Sequence, residues 1–186
     1  MTEFTITFHG PFHVGSGVAD QGLDRVLDRG ALLPGTSLKG VMRAAACETL
    51  GLPVALVARV FGGIFDDNGT TRRVASPWAW SDAELSDPRF QNLARIRIND
   101  ETRTTERGFL MLGESVWATS ARFTVTQHGE LSGDVEEHKL VLRASARAVT
   151  ALGGGRRRGE GWVTITDGAD WDTADTQALR GLGGNR

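Results

Sequence analysis

The residues best suited to chemistry lie in a glycine-rich run near the C-terminus, Leu152-Gly-Gly-Gly-Arg-Arg-Arg-Gly-Glu-Gly-Trp162. Glycines let a backbone adopt positive φ angles and let a ligand approach main-chain amides. Arginines add planar forks of donors that match phosphate. Together they could form a nest for a polyanion, although the glycines could instead simply end a helix while the arginines are solvated. The candidate binding residues are Gly153, Gly154, Gly155, Arg156, Arg157 and Arg158.

A second cationic group stands at the start of a predicted helix, directly after Pro34 and Gly35. Thr36 or Ser37 is a suitable N-cap, and Lys39 and Arg43 follow as i,i+4 neighbours. A helix N-terminus offers free amides and a positive dipole end, where cations are unfavourable unless an anion is near. The pattern favours a bound phosphate near Lys39 and Arg43, and two solvated surface cations are the alternative.

The histidines and the cysteine give little indication of a metal site. His9 and His13 are four residues apart, but a Gly-Pro break between them prevents a shared helical face. Cys47 is the only cysteine, so neither an internal disulfide nor a cysteine-based metal site is possible. It lies in an apolar helical pattern, which predicts burial.

The elements that must position these groups follow from periodicity. Alternation predicts a half-buried strand at residues 3–9, and helical spacing predicts helices that begin near residues 36 and 134. Further strands are predicted at 95–98, 109–117, 122–126 and 161–166. This order fits an α+β fold with a ferredoxin-like (RRM-like) βαββαβ core.

The same pattern divides the chain into a single domain over residues 1–166, with an insertion over about 53–107, and an acidic tail over 167–186 that we expect to be loose or weakly helical. The net charge of −2 excludes a protein coated in positive charge but allows a local basic groove. No apolar run approaches the ~20 residues of a membrane span, and no secretory leader is visible. We therefore expect a cytoplasmic protein with no membrane partner.

Two motifs resemble those of a known family. Leu33-Pro-Gly-Thr-Ser-Leu-Lys-Gly40, followed by Val41-Met-Arg43, resembles the "PGSSLKGxxR" signature of the RAMP superfamily, the RNA-binding subunits of class 1 CRISPR effector complexes. The glycine-rich run resembles the superfamily's C-terminal loop, and the stretch from Arg97 to Glu114 resembles its middle segment. The resemblance covers most of the chain and is greatest to the backbone subunits of type III complexes.

The resemblance implies an RNA-binding subunit that assembles on a guide RNA (crRNA) with copies of itself and with other CRISPR effector subunits. The glycine loop, together with Ser37, Lys39 and Arg43, would hold guide phosphates in a single groove at one end of the sheet, through contacts that are independent of sequence and sensitive to salt. Specificity for the target RNA would come from base pairing with the guide. A thumb-like hairpin would splay the RNA, and residues 99–107 and 62–74 are both candidates for it.

The resemblance also implies target-RNA cleavage by a loop aspartate with a divalent metal. Asp24 stands where the family pattern has that aspartate, and Asp28 and Asp20 are alternatives because the segment is short. A loop carboxylate can act as a general base or as a ligand of Mg²⁺ or another divalent cation. Asp24 alone is a sparse site, so the metal would take its other ligands from water and an RNA phosphate.

Three other functions stay open. The chain could be a non-catalytic backbone subunit, or a guide-processing endoribonuclease of the same superfamily that relies on His9 and His13. It could also be a nucleotide-binding module built on the glycine run. Against the last, the run contains no G-x-x-x-x-G-K-[ST] pattern, and it follows a helix instead of preceding one.

Overall fold

A computed structural model describes residues 1–15, 24–67 and 69–183 of the chain. Its strands are β1 (Thr2–Phe8), β2 (Gly63–Asp67), β3 (Thr70–Val74), β4 (Trp78–Trp80), β5 (Glu84–Leu85), β6 (Arg89–Ile98), β7 (Thr105–Trp117), β8 (Ser120–Gln127) and β9 (Val163–Thr166). Its helices are α1 (Gly35–Ala44), α2 (Val54–Phe61), α3 (Val135–Ala148) and α4 (Thr173–Leu182). None of the helices in these ranges has both the length and the apolar character that crossing a membrane requires.

The central sheet has the strand order β4-β8-β1-β9, with every neighbouring pair antiparallel. The short strand β5 also pairs with β8. Along the chain, the core elements run β1, α1, β4, β8, α3 and β9, which is the βαββαβ order of a ferredoxin-like fold. The predicted fold class is therefore confirmed.

The core lies between this sheet and helices α1 and α3. Phe4 and Ile6 of β1 are fully buried, as their alternation predicts, and Phe4 stacks on Phe123 of β8 with ring centroids 5.2 Å apart. Leu38 of α1 and Val141 of α3 are equally buried. Full burial of each such side chain stabilises the fold by about 1.5–3 kcal/mol, which holds both helices against one face of the sheet.

Two hairpins extend from this core as separate two-stranded sheets. The β2–β3 hairpin follows α2, and the longer β6–β7 hairpin precedes β8. The insertion predicted for residues 53–107 is thus divided by β4, which pairs with β8 in the central sheet.

The C-terminal tail forms helix α4, in agreement with the weakly helical alternative and not with a loose segment, and this helix is docked on α3. Asp172 caps α4 in a reciprocal capping box with Asp175. Arg143 and Arg147 of α3 each donate to Asp167 at 2.6 Å, and Arg143 also pairs with Asp175 at 3.0 Å. The acidic residues Asp167 and Asp175 are thus partners of arginines that lie 20 to 32 residues earlier in the chain.

Candidate nucleic-acid interface

The glycine-rich loop does not serve to end a helix. α3 ends at Ala148, several residues before Gly153. Within the loop, Arg156–Arg158 form a single 3₁₀ turn between Gly155 and Gly159, which have left-handed φ angles of 74° and 84°. All three arginines are exposed. The loop therefore presents three guanidinium groups from a turn that glycines on both sides make possible.

Two of the glycines are required by close approach of other main-chain atoms. A Cβ at Gly153 would clash with the carbonyl oxygen of His13, and one at Gly161 would clash with that of Leu152. Two hydrogen bonds hold the loop against residues 11–13: Gly154 N–H donates to His13 O and Gly161 N–H donates to Pro11 O, each at 2.8 Å. The loop is fixed to the segment that follows β1.

A buried carboxylate lies beneath the loop. Glu160 is 5% exposed and forms ion pairs with Arg25, at 3.5 Å, and with Arg95 of β6. A Cβ at Gly155 would overlap the Glu160 carboxylate, so the loop backbone packs directly on it. Glu160 thereby joins three segments that are far apart in sequence: the glycine loop, the segment after residue 24, and the β6–β7 hairpin.

An open cleft of about 1190 Å³ runs alongside the loop. Among its described lining residues the only acidic one is Glu48, and five are arginines: Arg25, Arg95, Arg156, Arg157 and Arg158. Another part of its wall is the flank of α1 that carries Val41 and Ala44. The cleft is consequently a concentrated positive region on a chain whose net charge is negative.

The helix-start cations line a different cleft. Lys39 and Arg43 border a concavity of about 410 Å³ beside the β2–β3 hairpin. Lys39 Nζ lies 5.3 Å from the centre of the Trp80 ring. Burial, and then the charge of Arg43, lowers the pKa of Lys39. Sequence reasoning places these cations and the glycine loop in a single groove, whereas in the structure α1 stands between the two clefts.

The N-terminus of α1 is already bound by a carboxylate of the same chain, that of Asp82. The helix begins at Gly35 after Pro34, so neither Thr36 nor Ser37 is the N-cap. Instead, Gly35 N–H donates to the carboxylate of Asp82 at 2.8 Å. This carboxylate balances the helix dipole in the way that a phosphate would. Ser37 is half-buried, and its N–H donates to Pro34 O at 3.0 Å.

The candidate catalytic aspartates occupy different settings. Asp24 is exposed and lies along the edge of β7, where its N–H donates to Leu112 O at 2.8 Å and its Oδ2 accepts from Leu112 N–H at 2.9 Å. Asp28 is also exposed, and its Oδ1 accepts from Gly30 N–H at 2.9 Å within its own turn. Asp20 lies outside the described residues. Of the two that are described, Asp24 is the one fixed against the hairpin.

Glu114 of β7 holds the segment that carries Asp24. Its Oε2 accepts from Leu27 N–H at 3.1 Å, and it pairs with Arg29. Its main-chain N–H donates to Arg25 O at 2.9 Å, and its carbonyl accepts from Nδ1 of buried His13 at 2.7 Å. Burial is the largest influence on His13 and lowers its pKa.

Sequence reasoning missed Arg25, Arg95 and Glu160 as parts of the site. The one signal available in the sequence was Glu160, a single glutamate within the glycine–arginine run. A carboxylate at that place would weaken anion binding unless it formed an ion pair with a cation elsewhere in the chain. Its partners lie 65 and 135 residues away, at distances that no local pattern reveals.

The described residues provide little for a metal ion. Nowhere in residues 1–15, 24–67 and 69–183 do three or more His, Cys, Asp or Glu side chains gather as a metal site would require. Asp24 offers one carboxylate, one oxygen of which already accepts a main-chain hydrogen bond. Asp24 therefore fits a divalent cation only as a single ligand. His9 lies elsewhere, in the arginine-lined cleft, with Nε2 2.8 Å from Thr164 Oγ1.

These features define an α+β protein with a ferredoxin-like core and a glycine-rich loop that lines a cationic cleft. The family model of the RAMP superfamily matches residues 5–164. The chain belongs to the RAMP superfamily. No curated protein matches the sequence.

Solved structures share the fold. A chain of the type III-B Cmr-β complex bound to cognate target RNA, solved by cryo-EM, has a TM-score of 0.69 at 15% identity, covering 89% of this chain and 96% of that one. A chain of the apo state of the type III-B Cmr-β complex has a TM-score of 0.68 at 15% identity, covering 94% and 98%. Each likeness extends over nearly the whole length of both chains.

Proposed function

We propose that the chain is an RNA-binding backbone subunit of a class 1, type III-like CRISPR ribonucleoprotein, and that it holds guide RNA by its phosphates. The observation that carries the proposal is the convergence of five arginines from three segments on one open cleft. Membership of the RAMP superfamily and the fold shared with chains of type III-B Cmr-β complexes support the same function.

The cleft suits a phosphate backbone better than a compact anion. Its volume of about 1190 Å³ exceeds the needs of one small ligand, and its guanidinium groups come from separate walls. Contacts of this kind bind any RNA sequence and leave recognition of target RNA to guide pairing. Copies of the chain and other effector subunits would share one guide, with Lys39 and Arg43 facing neighbouring phosphates from the smaller cleft and with Ser37 next to them on α1.

The test is guide retention in the assembled complex. The effector subunits are produced together with a guide RNA, and the RNA that copurifies is quantified for the wild type and for the triple variant Arg156→Ala, Arg157→Ala and Arg158→Ala. The matched control is Arg180→Ala, an exposed arginine on α4. We expect the triple variant to lose most of its guide RNA and the control to keep it. Wild-type guide content in the triple variant would contradict the proposal.

The chain's proposed activity is cleavage of target RNA at Asp24. Its carboxylate is exposed, is anchored by Leu112 N–H and adjoins Arg25, which lines the cationic cleft. Asp24 would act as a general base toward the 2′-OH or as a single ligand to a divalent cation such as Mg²⁺. The cation would neutralise charge at the scissile phosphate, and its other ligands would come from RNA and water.

Asp24→Asn separates cleavage from binding. Asparagine keeps an oxygen that can accept from Leu112 N–H but removes the charge, so guide content should persist while cleavage of a complementary target stops. Asp28→Asn serves as the matched control and should cleave normally, and a chelator should reproduce the loss in the wild type. Cleavage at the wild-type rate by Asp24→Asn would leave the non-catalytic backbone subunit as the better description. That alternative is favoured by the scarcity of metal ligands around Asp24 among the residues that the structure describes.

The guide-processing alternative has one observation in its favour, because exposed His9 lies in the cationic cleft. His13 does not join it there, since it is buried and its Nδ1 is bound to Glu114 O. Metal-free cleavage of precursor guide RNA that His9→Ala abolishes would favour this alternative.

We place the thumb in the β6–β7 hairpin. It is the longer of the two candidate hairpins, and it carries exposed apolar side chains toward its tip. Ile96 and Leu110 face each other across the two strands and are 57% and 59% exposed. An apolar pair of this kind is suited to contact unstacked bases.

A further inference from the structure

Trp162 is an aromatic side chain in the cleft whose arginines are proposed to bind phosphate. Trp162 follows the glycine loop, lines the same cleft as Arg156–Arg158, and is 58% exposed. Indole rings bury large apolar areas when a partner is available. An exposed tryptophan among arginines therefore indicates a ligand that has both charged and flat apolar parts.

The backbone around Trp162 is fixed on both sides. Trp162 O accepts from His9 N–H at 2.8 Å, and Trp162 pairs with Ala151 in an antiparallel bridge. Gly161 before it has a φ angle of 73° and packs against Leu152 O. Because the backbone is fixed, only the two side-chain torsions of Trp162 become ordered when a ligand stacks on the ring, which keeps the entropy cost of stacking low.

We propose that Trp162 is a stacking platform for a nucleobase of the guide RNA whose phosphates the arginines of the cleft hold. This inference rests on the proposed function and adds to it a contact with a base. Every nucleobase has a π face, so stacking contributes affinity without selecting a sequence. The arginines alone would accept any polyanion, whereas the arginines with Trp162 favour a nucleic acid over a polyphosphate or a sulfated sugar.

The charges of the cleft also favour one placement of the phosphates. Glu48 belongs to the π-helical turn Ala45–Thr49 that continues α1, and it is the sole acidic residue among the described lining residues. Its charge repels phosphate from that wall and leaves the backbone to Arg156–Arg158. Trp162 lines the same cleft as these arginines, so a base of an RNA that they hold can reach its ring.

The experiment compares RNA with and without bases. The protein is titrated with a fluorescent single-stranded oligouridylate and with an abasic ribose-phosphate oligomer of the same length, at several salt concentrations between about 50 and 200 mM. The variants are Trp162→Ala, Trp162→Phe and, as a matched control, Trp117→Ala. This control removes a 42% exposed tryptophan outside the cleft, at the base of the β6–β7 hairpin and at the opposite end from the apolar pair proposed to contact bases. Thermal melting verifies that each variant is folded.

We expect Trp162→Ala to weaken oligouridylate binding by roughly 5- to 100-fold and to leave the affinity for the abasic oligomer unchanged. The salt dependence should stay the same because no phosphate contact is lost. Trp162→Phe should restore most of the affinity, and Trp117→Ala should bind as the wild type does.

Two results would overturn the inference while the proposed function stands: wild-type oligouridylate affinity in Trp162→Ala, or an equal loss with the abasic oligomer. Failure of the wild type to bind either oligomer would contradict the proposed function itself, and the stacking inference with it.

Discussion

The carboxylate of Glu160 lies 3.5 Å from the guanidinium of Arg25, directly beneath the glycine-rich loop. Arg25 follows the candidate catalytic residue Asp24 in the chain, and the same carboxylate also pairs with Arg95 of the β6–β7 hairpin. A buried acid thus positions two of the five arginines that line the cationic cleft. It also ties the proposed guide-binding loop to the proposed cleavage segment.

Glu160→Gln should destabilise the protein. The change keeps the size of the side chain but leaves Arg25 and Arg95 without their counter-charge, and removing one partner of a buried pair is costly. Both arginines are about a quarter exposed and can turn toward water, so we expect a loss of about 1–3 kcal/mol in the free energy of unfolding, measured with urea. Glu136→Gln, which breaks an exposed pair with Lys139, is the control and should cost under about 1 kcal/mol. Equal effects of the two changes would contradict the role given to Glu160.

Gly153→Ala should be more harmful than Gly159→Ala. Both glycines have positive φ angles, 74° and 84°, so alanine is strained by about 1 kcal/mol at each. At Gly153 the new Cβ would also clash with His13 O, whereas at Gly159 it would meet nothing within 4 Å. Melting temperatures of the two variants test this difference. A drop that is the same for both would show that the loop does not pack on residue 13 as described.

Stability should fall as the pH drops below about 6.5 because of His138. Burial lowers the pKa of this residue from its ordinary value of 6.5. Its Nδ1 accepts a hydrogen bond from Trp78 Nε1 at 3.1 Å, which requires the neutral ring. The unfolded chain takes up a proton near pH 6.5 and the folded chain only at lower pH, so acid favours unfolding in between.

Urea unfolding at several pH values between about 7 and 5 measures this effect. His138→Gln should flatten the pH dependence, because an amide does not titrate there. His128→Gln, at an exposed position, should leave it as in the wild type. A His138→Gln variant with the wild-type slope would assign the acid sensitivity to other groups, such as buried His13.

The docking of α4 should depend on Asp167. Burial would raise the pKa of Asp167, but hydrogen bonds from Arg147 and Arg143 outweigh burial and lower it from its ordinary value of 3.8. The stabilisation is therefore complete above that value and is lost as the pH falls through the lowered pKa. Asp167→Asn should speed hydrogen exchange in Thr173–Leu182 at neutral pH. Asp170→Asn is the control, since only the main-chain oxygen of Asp170 binds Arg143. Unchanged exchange in Asp167→Asn would mean that other contacts hold α4.

The sequence could predict the core because local periodicity decides it. The alternation of Phe4 and Ile6 and the helical spacing around Val141 show which side chains share one face of a strand or helix. The buried face can therefore be predicted before the fold is known. The glycine loop was equally visible, because three arginines between glycines are a local feature of the sequence. The sequence motifs also indicated the superfamily that the family model confirms.

The features that the sequence could not predict depend on pairs of residues that are far apart in the chain. Nothing near Gly35 indicates that Asp82 caps α1, and this cap is why the predicted N-cap at Thr36 or Ser37 was wrong. The separation of the two clefts follows from how α1 packs, which its own periodicity does not reveal. Asp167 looked like part of a solvated acidic tail because its arginine partners belong to another helix.

The salt dependence of RNA binding tests the central claim most directly. The affinity for single-stranded RNA is measured over a range of salt for the wild type and for the triple alanine variant of Arg156–Arg158. Each lost phosphate contact on a single strand reduces the slope of log K against log salt by about 0.7. We predict that the wild type binds RNA with a steep slope and that the variant binds more weakly, with a slope shallower by about 2. An unchanged affinity and slope in the variant would show that the glycine-rich loop does not hold RNA.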